Sequence, residues 1–538
     1  MIPSYVQDLV DRKVGAGWIP FADEEEFPAS FPYARWNVQL QRYHEYWRHW
    51  TGERWQEPVP NLKDENGNPV LRYPLQINKL ASIAKKHAAA VIGEVSDNSP
   101  TAIPARIRPK PNPANEEYDE SALKEAKTLE YFINDVWDDN GGKALQSEAV
   151  LLSQFLGGIV LKVGWQPDDL DLEYGIRLEI VLPDFFMPVW DTGKPHELLE
   201  AWVVWRVPAR EAYLKYGFNL KEGVRDPLYI EHWTRDEINI TIGGNPVEYI
   251  VNGVRFRYDH VPNPFGFVPF VYIPRKRAGG YFGISLVEDI KGLEEELNGR
   301  LADLGDIVND VAQRDLVAVD LPNRSITTID LGKGRKALYL GTTAPGMEKP
   351  TLTAVDPPKL PEGLSDLPTR IEKEIEHQAS TPAITYGEDQ GSQRSGQTLN
   401  VRFWSLTSEA QSQRYNWDVA MKRLNKMICK IAVVKGVGGI SEKMMQGKHW
   451  RNAWSPMLPK DREQLLNEGV LLSSQQAVHP ATIAEKLEWV EDPLEEYERA
   501  MEHYERVAKL QSDMKMQEQE QMAKIKQPQA SAGAAGKS

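Results

Sequence analysis

Across residues 285–311 apolar side chains recur every three or four positions, at Leu286, Ile290, Leu293, Leu297, Leu301, Leu304, Val308 and Val311. At about 1.5 Å of rise per residue, this spacing predicts one stripe along a helix roughly 40 Å long. A rod of that size needs an equally long neighbour. The successive four-residue steps around Leu297 and Leu301 act as a stutter that straightens the seam. Gly292, Gly299 and Gly305 cost helix propensity but permit close backbone approach. Around the stripe stand Glu288, Asp289, Glu294, Glu295, Glu296, Asp303, Asp306 and Asp310, against only Lys291 and Arg300. The pattern predicts one dry face and one strongly anionic face. Taken alone, it describes a long surface helix with a solvated acidic side.

Upstream, Tyr43, Tyr46, Trp47, Trp50 and Trp55 precede a turn-rich stretch at 61–69, giving an aromatic helix followed by a loop. Ile77, Leu80, Ala84, Ala88 and Val91 trace a second helix that ends near Gly93, and 102–107 reads as a short strand. A third helix covers 117–137; Gly141 and Gly142 break it before a fourth through Leu145, Val150, Leu152 and Phe155. From Gly157 the period becomes that of strands, with β-branched or aromatic runs at 159–165, 178–182, 185–190, 201–207 and 229–233. Asn252 and Gly253, between 249–251 and 254–258, give the strongest hairpin signal in the chain. Pro262, Pro264, Pro269 and Pro274 then suggest an extended connection into the acidic helix.

After that helix, short strands at 316–319, 325–330 and 337–340 form a compact insert, and helical spacing resumes at Leu364, Leu367, Ile371 and Ile375. Two rods therefore flank a small β-rich unit. Residues 382–398, with Gly387, Gly391 and Gly396 among Ser, Gln and Thr, are too polar and glycine-rich to build a core and read as a loop. Leu399, Phe403, Leu406, Ala410, Trp417, Met421, Leu424, Ile428 and Ile431 predict another long helix that stops before Gly436. Shorter helices are expected at 461–470 and 481–487. Asp492, Pro493 and Glu495 then supply an N-cap, N1 proline and capping box for a last helix through Leu494, Tyr497, Met501, Tyr504 and Val507.

Length allows three or four compact units in 538 residues, and 41% hydrophobic with 26% charged residues is an ordinary globular composition. A formal net charge of −15 argues against a protein that clings to nucleic acid over its whole surface. It leaves room for one that lets nucleic acid slide past. Cys429, the only cysteine, excludes an internal disulfide framework and reads as buried filler on a helical pattern. Asp8 and Asp11 interrupt any secretory core, and no run of 18 apolar residues occurs, so a soluble protein without a membrane partner is expected.

Candidate chemistry is sparse. Gly536, Lys537 and Ser538 imitate the close of a phosphate loop, but Ser531 stands where its first glycine belongs and no helix can follow. Gly332, Gly334 and Ala337 form a degraded dinucleotide fingerprint better read as a turn. His44 and His49 sit on different helix faces, which favours aromatic packing over zinc. Asp168, Asp169, Asp171 and Glu173 suggest a cation loop, yet Gly175 falls one position late and a solvated turn is the simpler reading. No carboxylate pair is set apart by spacing, so no catalytic residue, metal ligand or cofactor is assigned.

In their succession these parts resemble the portal proteins, or head-to-tail connectors, of tailed bacteriophages. The resemblance is carried by Gly157, Gly158 and the strand 159–165, by 181–190, and by the Pro-rich approach to Gly283, Ile284 and Ser285. Asn298 in the acidic helix, and Ser395 with Gly396 ahead of the next, complete it. It spans roughly 43–510 and rests on order, since no single motif is diagnostic.

The resemblance implies an α+β fold: a portal-like subunit with an α/β wing, a two-helix stem, a small β-rich clip and a helical C-terminal crown. The wing would occupy 1–280, the first stem helix 281–312, the clip 313–360 and the second stem helix 361–380. The tunnel loop would follow at 381–398, the long wing helix at 399–435, the crown at 436–526 and a disordered tail at 527–538. It further implies about twelve copies in a ring at one capsid vertex, assembled in the host cytoplasm, with double-stranded DNA passing through. The terminase large subunit would dock on the clip; the major capsid protein, scaffold and head-tail adaptors would be further partners. An anionic bore would keep DNA from sticking, with Glu288, Glu295, Asp303, Asp306 and Asp310 as its candidates. Gln393, Arg394 and Ser395 are the candidate loop contacts, Arg394 offering a transient phosphate contact against the alternative of an idle exposed arginine. Two rival readings are a structural or scaffold protein that never touches DNA and a carboxylate-dependent hydrolase.

Overall fold

A computed structural model describes residues 24–525 except 57, 64–65, 73–74, 96–98, 100, 111–119, 195–196, 217–225, 252–253, 313–315, 320–326, 331–335, 340–350, 355–365, 388–400, 459–466, 468 and 472–492. Helix α1 (Tyr33–Thr51) buries Trp36, Leu40, Tyr43, Tyr46 and Trp47 and ends at Gly52, whose left-handed backbone (φ 79°) closes the last turn onto the His49 carbonyl. A ribbon of β1 (Pro58–Lys63) and β2 (Pro69–Leu71) follows. Asn78 caps α2 (Lys79–Ile92), its side-chain oxygen accepting from the Ala81 amide at 3.1 Å. Strand β3 (Ala105–Pro109) leads to α3 (Glu120–Asp139) and α4 (Gly142–Leu156). Leu80, Ile83, Val91, Leu129, Trp137, Val150 and Phe155 knit these helices into one dry core.

Two antiparallel sheets follow. The smaller runs in the order β14 (Phe270–Pro274), β4 (Gly158–Trp165), β5 (Ile176–Val181). The larger contains β6 (Phe186–Trp190), β7 (Leu198–Arg206), β8 (Leu228–Thr234) and β9 (Glu237–Ile242), with short β10 (Asn245–Pro246) and β13 (Val261–Pro262) both on β9. Helix α5 (Ala209–Tyr216) links β7 to β8. Phe186, Trp190, Val203, Tyr229 and Trp233 of the large sheet pack on Val160, Phe270 and Tyr272 of the small one. Its other face carries Met187, Trp202, Val204, Leu228 and Ile230, covered by Phe27, Phe31, Trp36 and Leu40. That double burial explains why these runs lack clean alternation. Strands β11 (Glu248–Val251) and β12 (Val254–Arg257) pair antiparallel with Val251 opposite Val254, as the hairpin signal expects; Asn252 and Gly253 themselves lie outside the described residues.

Two sequence expectations change in this region. The proline-rich approach is not merely an extended connection, because 270–274 is a fully buried strand on β4, with Pro269 just before it and Pro274 at its end. Prolines at strand ends cost no ladder bond. Strand β9 is also new, its alternating burial diluted in sequence by Asn239 and Thr241.

Helix α6 (Leu286–Ala312) is the expected first rod. Beyond it, β15 (Leu316–Val319) pairs with β18 (Thr351–Ala354), and β16 (Thr327–Asp330) with β17 (Lys336–Tyr339), so one hairpin nests inside another. Strand β18 has no counterpart in the sequence expectation. Helix α7 (Leu367–Gln378) returns against α6. Helix α8 (Trp404–Lys435) drives Trp417, Met421, Leu424 and Ile428 into the main core. The region 436–526, expected to be helical, instead opens with the one-turn helix α9 (Glu442–Met445) and with β19 (Lys448–Asn452), which pairs antiparallel with β3. Helix α10 (Pro493–Ile525) begins at the expected proline. The helices expected at 461–470 and 481–487 lie largely outside the described residues, as does the tail at 527–538. Among the described residues, no helix is long and apolar enough to cross a membrane.

Candidate stem and channel surface

Helix α6, the expected first stem helix, starts from a backbone crossing too tight for side chains. Gly157, at φ 75°, turns α4 into β4, and its carbonyl accepts the Arg275 amide at 2.9 Å. A β-carbon on Gly283 would collide with that same carbonyl, and one on Gly158 with the Tyr272 hydroxyl. The Gly283 amide donates to Tyr272 Oη at 2.9 Å, and the Ser285 hydroxyl donates to the Phe155 carbonyl. The glycines and Ser285 noted in the sequence therefore act together, bringing strand, turn and helix entrance into contact.

Arg275 occupies the centre of this joint, 2% exposed. Its guanidinium donates to Asp289 Oδ2 of α6 at 2.9 Å and to Glu409 Oε1 of α8 at 3.4 Å, while its carbonyl accepts from Asn416 at 3.2 Å. Lys276 reaches Glu409 from the rim at 3.8 Å. One buried cation thus ties the end of β14 to α6 and α8.

Along the upper half of α6, α1 and the short turn Glu53–Gln56 after it run as a strap with matched charges. Arg42 and Tyr46 both bond Glu288, Glu45 pairs with Lys291 at 3.3 Å, and Arg54 holds Glu295 at 2.8 Å. Burial pushes the Glu288 carboxyl up, but the Arg42 and Tyr46 hydrogen bonds outweigh it and hold the group below the usual carboxylate range. Glu294 is fully buried, accepting the Lys79 amide at 2.7 Å and the Leu80 amide at 3.2 Å, so it satisfies orphan N–H groups at the start of α2. Asn298 exchanges bonds with both backbone groups of Ile77, at 2.7 and 3.1 Å.

The stripe itself divides. Leu286, Ile290 and Leu297 are buried, as are Ile371 and Ile375 of α7, whereas Val308 is 61% exposed. In the lower half, Arg300 pairs with Glu296 at 2.7 Å and with Asp303 at 3.1 Å. Arg300, Asp303, Leu304, Asp306 and Ile307 line an open groove of ≈ 380 Å³. Among the described residues no neighbouring atom lies within 4 Å of a β-carbon built at Gly292, Gly299 or Gly305, so the close contact these glycines permit is not made there.

At the other end of the stem, α7 closes through a Ser380 turn of left-handed backbone (φ 56°), with Thr381 N–H on the Glu376 carbonyl at 2.8 Å. The Thr381 hydroxyl lies 3.0 Å from His87 Nε2, both groups buried. Burial first, then the nearby Arg275 and Lys276, press the His87 pKa down to about 3. The Tyr386 ring then lies 6.0 Å from Lys79 Nζ and 5.8 Å from Lys86 Nζ.

The structure thus separates the site residues picked from sequence. Glu288 is engaged by Arg42 of α1 and Glu295 by Arg54 just beyond it; Asp303 and Asp306 are exposed on the lower half of α6. The side chain of Asp310, and Gln393, Arg394 and Ser395 altogether, lie outside the described residues. The clamps at Arg275, His87 and Glu294 escaped sequence reading because their partners are far away along the chain. The acidic turn is held by protein groups: Asp169 accepts from the Asp171 amide at 3.2 Å and pairs with Arg177 at 3.3 Å, and the Glu173 amide donates to Asp139 at 3.1 Å. His49 packs edge-on against Trp55, 3.8 Å from Glu294. Burial raises the Cys429 thiol pKa to about 12. Among the described residues, no cluster of three or more potential metal ligands occurs.

Fold and site define a class: a mixed α+β subunit whose two rods carry a small β-rich insert at one end and are braced at the other by a sheet-and-helix body. Residues 113–510, about three quarters of the chain, match the family described as phage portal protein, SPP1 Gp6-like, and the chain belongs to it. That family is structural, a bacteriophage head-tail connector, and implies a ring at the capsid vertex of the virion with DNA. No curated protein matches the chain.

Proposed function

We propose that about twelve copies close into a ring through which double-stranded DNA is packaged and later ejected. The observation that carries this reading is the divided stem: its upper half is strapped into its own subunit, while Val308 is exposed and, among the described residues, nothing packs within 4 Å of a β-carbon at Gly292, Gly299 or Gly305. Rods with such a bare seam suit side-by-side packing in a closed heterologous ring. The nested hairpins at the stem tip are the clip on which the terminase large subunit docks. Head-tail adaptors succeed it there, and the major capsid protein and scaffold surround the wing during assembly in the host cytoplasm.

An anionic bore fits this function, because every phosphate contact made during translocation must be broken again. Its charge belongs to the lower stem, at Asp303, Asp306 and Asp310, since Glu288 and Glu295 are held by Arg42 and Arg54 from another part of the chain, whereas Asp303, paired with Arg300 of its own helix, stays exposed. Gln393, Arg394 and Ser395 form the loop contact with DNA, Arg394 touching phosphates in passing. Electron microscopy of the purified chain tests the reading: the expected image is a ring with an open bore of duplex width, and a filament or solid bundle would refute it.

A further inference from the structure

Helix α8 is amphipathic in an unusual sense. One side is buried in the main core, but the opposite side exposes Trp404 (71%), Tyr415 (63%) and Val419 (46%), with Val401 (76%) just ahead of its first turn. These positions, with Ser408 and Gln411 between them, fall within about 80° on a helical wheel at about 100° per residue, along roughly 27 Å. No charged residue interrupts this row before Lys422. By contrast, α7 shows Arg370, Lys373 and Glu374 to solvent, as a solvated helix should.

We infer that this face of α8 is an interface, and that its occupant is a second copy of the chain, the neighbour in the ring. The inference rests on the portal reading for the existence of that neighbour; the surface itself is read from exposure and charge. Aromatic enrichment with depletion of charge marks the centre of protein interfaces. The four side chains offer roughly 500 Å² of surface, over half of the about 800 Å² one partner brings to a standard interface. A row without Lys or Arg has nothing to hold a polyanion, which sets DNA aside as occupant. The face is also held rigidly, because Glu409 and Asn416 on the same helix are tied to Arg275.

The closing experiment uses the full chain with Ser408→Cys carrying a benzophenone. Cys429, the only native cysteine, is buried, so labelling is specific to the new thiol. Mixing ¹⁴N and ¹⁵N subunits before irradiation distinguishes contacts between copies from contacts within one. The expected product joins position 408 to a peptide of the other isotope, and Tyr415→Glu lowers the ring fraction at least tenfold while the subunit keeps its circular dichroism and melting temperature. Rings that form normally in Tyr415→Glu, or crosslinks confined to one copy or to added duplex DNA, would overturn the interface and leave the portal reading intact. A wild-type chain that never forms rings would instead overturn the portal reading.

Discussion

His87 must stay neutral to remain where it is, packed under the stem exit and beside Arg275 and Lys276. Its folded pKa, about 3, lies below the ordinary value near 6.5, so the unfolded chain binds the proton more readily. The stability that His87 confers is therefore complete above about pH 6.5 and falls as pH drops towards 3, by up to about 1.4 kcal/mol per pH unit. His87→Gln should flatten the acid limb of a melting-temperature profile; an unchanged slope between pH 6.5 and 4 would exclude this residue as its source. Arg394 makes the opposite kind of prediction, a functional effect without a structural one. Arg394→Ala should lower DNA packaging several-fold while ring formation stays as in the wild type, and unaltered packaging would remove the residue from the channel. At this scale little was legible in advance, because a buried charge reveals itself only through partners such as Asp289, Glu409 and Thr381, which folding brings from elsewhere.

Elements are built from two kinds of glycine, and substitution separates them. Gly283 lies where a β-carbon would strike the Gly157 carbonyl, so Gly283→Ala should prevent the stem entrance from forming and yield insoluble chain. Gly299 lies in a helix interior where, among the described residues, nothing stands within 4 Å of an added β-carbon, so Gly299→Ala should stabilise the isolated subunit by about 0.5–1 kcal/mol in thermal unfolding. If the ring packs rods at that seam, the same change lowers the ring fraction; a more stable subunit that assembles normally would place the seam elsewhere. The long helices, the Asn-Gly hairpin and the β-rich insert were all readable, since period and turn chemistry are local. Strand β14 was not, because prolines masked it, and β19 was missed because Lys448, His449, Arg451 and Asn452 lack a strand's apolar signature. The anionic face was overestimated for a related reason: Glu294 and Asp289 look solvated in sequence but are consumed by a helix start and by Arg275.

For the whole molecule, the order of parts pointed to the family more firmly than any motif, and the match over 113–510 shows it. Closure of the ring is supported by an uncharged row with two aromatics on α8, by the exposed Val308 on α6, and by Arg275, which ties both helices to one body. Sedimentation of the purified chain under near-physiological salt tests the claim that these surfaces close on copies of themselves. From a subunit of 61.0 kDa, closure predicts one discrete species of about 0.7 MDa. A single boundary at the subunit mass, under every salt and concentration tried, would contradict it.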